Sequence, residues 1–152
     1  MKYLIMLLLI TGCGKSIEDF IRIDNTNVKK AKTNPIFAPF IQSFEAEFNR
    51  KVRVPIVLKT IENKYAGVCL VYSNGYREIR INKNSWDQYS HEQKEQLIYH
   101  ELGHCVMNKN HDNALLNNHC PNSIMRSYMF NDYEINECYL PEYNHYMDDL
   151  RK

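Results

Sequence analysis

The stretch from Ser90 to Asn108 constrains this chain more than any other part of it. Ser90 followed three residues later by Gln93 is a capping box, which satisfies amide hydrogens left over at a helix start. Ile98, Leu102, Cys105 and Val106 then recur at helical spacing, so one face of this helix has to be buried. Asn108 can end it, because asparagine tolerates the left-handed conformation on which many helices stop. The fold must therefore be assembled around this helix. His100 and His104, four residues apart, project from one side of it, with Glu101 beside them.

The flanking sequence supplies the partners. Gly67–Tyr72 and Tyr76–Asn82 are β-prone runs joined by Ser73-Asn74-Gly75, and Asn-Gly predicts a hairpin with a type I′ turn, both central residues at positive φ. Ile79 and Ile81 alternate with Glu78 and Arg80, so one face of the second arm is buried and the other wet. Residues 52–60 read as a further strand, with Pro55 marking an edge or a start. Asn34-Pro35 opens a helix reaching about Asn49, whose Phe37, Phe40, Phe44 and Phe48 form a packing stripe. Pro141–Arg151 predicts a closing helix that packs through Tyr143, Tyr146, Met147 and Leu150, and residues 110–136 between are polar and aperiodic. The expectation is one α+β domain over residues 34–152: a small twisted mixed sheet with a β-hairpin, an active-site helix and a C-terminal helix.

The N-terminus is different in kind. Lys2 precedes an apolar run, Tyr3–Ile10, far shorter than the roughly 20 residues a spanning helix requires, so it reads as a signal peptide. Ile10-Thr11-Gly12-Cys13 resembles the lipobox of a bacterial lipoprotein signal. That resemblance implies removal of residues 1–12, lipidation of Cys13, and a polar tether within residues 13–33 that leads from the lipid anchor to the domain. The protein is then exported and anchored at the cell envelope, at the outer membrane in a diderm organism, since Gly14 is not the aspartate associated with inner-membrane retention.

Export also governs the cysteines. Cys69, Cys105, Cys120 and Cys138 are an even set in a compartment where disulfides persist, and four cysteines allow three connectivities. Cys105 with Cys120 is the preferred pair, because it would staple the helix end to the returning loop. No C-x-x-C spacing suggests cysteine ligation of zinc. A net charge of +1 points to neither nucleic acid nor an anionic surface as partner, and a monomer is assumed.

Two imidazoles on one helix face can share one Zn2+ ion, and Glu101 is placed to take a proton from a water that the metal acidifies. The expected reaction is hydrolysis of a peptide substrate. A third ligand must come from elsewhere: His111, His119, Asp112, Glu134 and Glu137 are the candidates, and His111 is preferred, because a helix ended at Asn108 turns the chain back toward the metal. Asp112 could orient an imidazole.

His100-Glu101-Leu102-Gly103-His104, then His111-Asp112, then Ser123-Ile124-Met125, resembles the metzincin zinc metallopeptidases, the matrixin-like branch in particular. The resemblance implies a zinc endopeptidase with His100, His104 and His111 as ligands and Glu101 as general base. It implies Met125 as the floor beneath the metal in a Met-turn, and Tyr128 in the segment that follows. It also implies that Gly67–Tyr72 is an edge strand open to extended substrate. The third histidine stands eleven residues after the first, where the family has ten, so one residue is inserted. Two other readings use the same residues: a glutamate-type zincin with Glu134 or Glu137 as third ligand, and an envelope lipoprotein that binds zinc without catalysis.

Overall fold

The hairpin predicted from the sequence forms the centre of a four-stranded sheet. In the computed structural model, which describes residues 20–152, the elements are β1 (Phe20–Ile23), a 3-10 turn (Pro35–Phe37), α1 (Ala38–Phe48), β2 (Ile56–Lys59), β3 (Gly67–Tyr72), β4 (Arg77–Asn82), α2 (Lys83–Trp86), α3 (His91–Met107), α4 (Asp132–Glu134), a π-helical turn (Ile135–Tyr139) and α5 (Tyr143–Arg151). The strand order is β1-β3-β4-β2; β3 and β4 are antiparallel, and each outer pair is parallel. This is the mixed α+β arrangement expected. The apolar run and Cys13 lie outside the described residues, and among those described no helix is long and apolar enough to cross a membrane.

Two sequence expectations are corrected here. The hairpin turn is not type I′: Asn74 is not among the positive-φ residues, and only Gly75, at φ 82°, is left-handed. Gly75 N–H donates to Tyr72 O (2.9 Å) and Tyr72 N–H to Tyr76 O (2.9 Å), so the loop has three residues and absorbs the extra one at the glycine. Nor is β3 an open edge. The short apolar patch at Phe20–Ile23 forms β1 and runs parallel along Cys69–Tyr72, so the nominated substrate edge is already paired over those residues.

Both faces of the sheet are covered. Ile56, Cys69, Ile79 and Ile81 join the main core with Phe44 of α1 and Leu97, Ile98, Tyr99 and Leu102 of α3. Phe44 meets Tyr99 edge-on at 5.3 Å, which locks α1 across α3. On the other face Val68, Leu70 and Tyr72 pack with Ile21 and Ile23 of β1. Glu78, expected on a wet face, is buried there, and Arg80 Nε donates to it at 2.6 Å.

The cysteines pair Cys69–Cys105 and Cys120–Cys138, not Cys105–Cys120. The reason lies in the layering. Cys69 faces inward from β3 directly onto α3, whereas Cys120 lies against the π-helical turn that carries Cys138.

Candidate metal centre

α3 is built as its sequence predicts. Ser90 Oγ accepts from Gln93 N–H (3.2 Å) while Gln93 Oε1 accepts from Ser90 N–H (3.0 Å). Asn108 ends the helix at φ 56°. Lys109 N–H then donates back to Gly103 O (3.0 Å), which closes the helix end and reverses the chain. Arg77 clamps this corner, donating to Cys105 O and to Asn108 Oδ1, both at 2.7 Å. The left-handed asparagine thus starts the reversal that leads from His104 to His111.

The reversal brings three imidazoles together. His100 Nε2 lies 2.9 Å from His104 Nε2, His104 Nε2 lies 3.1 Å from His111 Nε2, and His111 Nε2 lies 3.3 Å from His100 Nε2. The outward nitrogens are occupied: His100 Nδ1 bonds Ile124 O (2.9 Å) and His104 Nδ1 bonds Lys109 O (2.7 Å). An imidazole that donates from Nδ1 presents a lone pair at Nε2. Burial, and next the neighbouring His104, hold the His100 pKa well below the usual imidazole value, against the pull of its bond to Ile124. A neutral, pre-oriented donor set is what a divalent ion requires. Three nitrogens at about 2.0–2.1 Å from one tetrahedral ion stand about 3.3 Å apart, so these side chains fit such an ion with little movement.

Glu101 follows His100 on α3 and packs against β3. It is fully buried, and neither carboxylate oxygen has a hydrogen-bond partner among the described residues. Burial raises its pKa well above the ordinary carboxylate value. β3 passes directly over it, and a Cβ placed on Gly67 would stand 2.6 Å from Glu101 Oε1. A glycine in a strand is a signal of close backbone approach, and Gly67 carries that signal in the sequence beyond its place at the start of a hairpin arm.

The remaining candidates are placed as follows. Met125 is buried under α3 against Gly103. The Asp112 carboxylate accepts from Ala114 N–H and Asn122 Nδ2, and its own N–H donates to Met125 O, which fixes the loop behind His111. Tyr128 is half-buried in the segment after Met125. Glu134 pairs with Arg126 and caps α4, Glu137 is exposed, and His119 is exposed at φ 65°. None of these three belongs to the histidine group.

Residues 46–149 match the family model described as "Putative phage metallopeptidase". The chain belongs to that family. The match spans the hairpin, α3, most of α5 and all three histidines, a group that could hold a metal ion. No curated protein and no solved structure matches the chain.

Proposed function

We propose that this phage metallopeptidase family member is a zinc-dependent endopeptidase in which His100, His104 and His111 hold the ion and Glu101 is the general base. The convergence of three Nε2 atoms beside a buried, unpaired carboxylate carries this reading. Three histidines with no carboxylate among them suit zinc among the common divalent ions, and they give the ligand count that leaves one position open.

Zinc supplies Lewis acidity here, polarising a peptide carbonyl and making a water acidic enough to lose a proton near neutrality. The chain does the rest. Ile124 O and Lys109 O hold the rings of His100 and His104 so that Nε2 faces inward. A Glu101 oxygen takes the proton of the attacking water and carries it to the departing amide nitrogen, a role that its raised proton affinity favours. Gly67 leaves room for that carboxylate to sit against β3.

The histidine set, the left-handed Asn108 and Met125 beneath α3 support a metzincin-type assignment. The two disulfides support work outside the cytosol, consistent with export and with anchoring through a lipidated Cys13 at the envelope.

Glu101→Gln decides between enzyme and binding protein. The variant is expected to retain one equivalent of zinc while peptide hydrolysis falls by at least about a thousandfold. If the unaltered, zinc-loaded protein cuts nothing in a broad peptide library, the non-catalytic zinc-binding reading takes its place.

A further inference from the structure

Two guanidinium groups stand on one face of the sheet with a single residue between them. Arg22 of β1 lies opposite Val71 of β3, and Val71 lies opposite Arg77 of β4. Residues in register across paired strands project to the same face, so the three side chains form one row. The row faces α3, because Arg77 Nη1 donates to Cys105 O and to Asn108 Oδ1 at 2.7 Å each. A cavity of about 240 Å³ opens there, lined by Arg22, Val71, Arg77 and Asn108.

The charges in this cavity are not answered by the chain. None of its four lining residues is acidic. Asp24 lines the neighbouring cavity with Tyr72 and Ser73, and Glu78 is on the opposite face of the sheet, bonded to Arg80. Among the described residues the exposed Arg22 guanidinium has neither an ion pair nor a hydrogen bond. Arg77 makes both of its bonds through Nη1, which leaves Nε and Nη2 able to donate to another acceptor. The two arginines are two strand spacings, about 10 Å, apart at the backbone, close enough for both side chains to reach a group held between them.

The cavity also lies in line with the reacting groups. Gly67 sits against Glu101, Cys69 is bonded to Cys105, and Arg77, opposite Val71, holds Asn108, so α3 runs along β3 in the same direction. Val71 is four residues beyond Gly67, about 13 Å along the strand. Asn108 is joined to Lys109, whose carbonyl orients His104. β1 takes the β3 edge from Cys69 onward, so a peptide that lies over Glu101 and extends this way meets β1 and then the cavity beside Arg22.

We infer that the cavity between Arg22 and Arg77 binds a carboxylate of the substrate, about four residues from the bond that is cut, and so selects acidic peptides. This rests on the peptidase reading above. A guanidinium fork matches the two oxygens of a carboxylate, and a carboxylate between two such forks relieves their mutual repulsion.

The test uses the full chain loaded with zinc and peptides blocked at both ends, in which one Glu, or its isostere Gln, is moved position by position along each side of the cleaved bond. A second set compares free with amidated C-termini, which separates a side-chain carboxylate from that of the chain end. The unaltered protein is expected to favour the carboxylate about tenfold in kcat/KM at one position, and the preference should narrow in about 0.5 M NaCl. In Arg22→Gln the ratio falls towards one, and in Arg22→Glu the preference at that position turns to Lys. The same peptides are titrated against the Glu101→Gln protein with and without Arg22→Glu, and thermal unfolding confirms that each variant is folded. No discrimination at any position, or discrimination that survives Arg22→Glu, overturns the inference and leaves Arg22 a charge that guards the sheet edge. Carboxylate-dependent binding that Arg22→Glu abolishes, with no cleavage of any peptide by the unaltered protein, overturns the peptidase reading and leaves the assignment of the cavity standing.

Discussion

Met125 is packed so closely against Gly103 that a Cβ on the glycine would lie 2.5 Å from its sulfur, with Leu150 Cδ1 3.1 Å away. Gly103 is the fourth residue of the His100–His104 motif, and the contact seats α3 on the turn that follows Ile124. Gly103→Ala should therefore destabilise the fold by about 1–3 kcal/mol through overpacking, although alanine is the better helix former. Thermal unfolding measures this. Adding Met125→Val, which removes the colliding sulfur, should return part of the loss; a Gly103→Ala protein as stable as the parent would show that α3 and the turn are not in close contact.

Gly67 makes the matching contact from above, and its effect should fall on activity more than on stability. The backbone at Gly67 is not left-handed, so Gly67→Ala is penalised only by the clash with Glu101 Oε1, 2.6 Å from the added Cβ. The carboxylate end can swing away. The variant should fold and bind zinc, with kcat down about a hundredfold, since a base displaced by about 1 Å loses its alignment. Unchanged kcat would mean that Glu101 does not work from this position.

Much of this could be read in the sequence because it is local. The capping box at Ser90, the stop at Asn108, the hairpin arms and the His100/Glu101/His104 spacing depend on residues within a few positions of each other. Tertiary partners decided the rest. Cys69 pairs with Cys105 because β3 lies on α3, and nothing near Cys105 in the sequence contains that information. β1 is four residues long in a polar stretch, and it is a strand because Val68, Leu70 and Tyr72 offer it an apolar face. The bonds of Asp112 to Ala114 and Asn122, which tie the loop behind His111, likewise join it to residues that its adjacency to His111 does not point to. The segment from Ile124 to Phe130 is held to α3 by two bonds, Gln93 to Phe130 and His100 to Ile124, each between residues far apart in the chain.

The third ligand separates the histidine reading from the glutamate one. His111→Ala should weaken zinc binding by at least about a hundredfold, as removal of a ligand costs more than loss of its outer partner. Glu134→Ala should leave zinc content intact, because Glu134 is occupied with Arg126, and should cost only about 1 kcal/mol of stability from that half-buried pair. Metal analysis after dialysis against a chelator reads both. Zinc retained in His111→Ala and lost in Glu134→Ala would reverse the assignment.

The disulfides should differ in what they protect. Closing loops of 36 and 18 residues corresponds, by chain entropy alone, to about 4 kcal/mol for Cys69–Cys105 and about 3 kcal/mol for Cys120–Cys138. Replacing each pair with alanine should lower Tm in that order, and reductant should lower Tm of the parent. The consequences for activity diverge further. Cys69 is two residues from Gly67 and Cys105 is four from Glu101, so the first disulfide holds β3 over the base. The second ties the loop at Cys120 to the π-helical turn, away from Glu101. At a temperature where both variants remain folded, the Cys69→Ala/Cys105→Ala protein should therefore lose kcat, while the Cys120→Ala/Cys138→Ala protein keeps it. Equal losses in the two would indicate that stability alone, and not the placement of β3 over Glu101, links these bonds to catalysis.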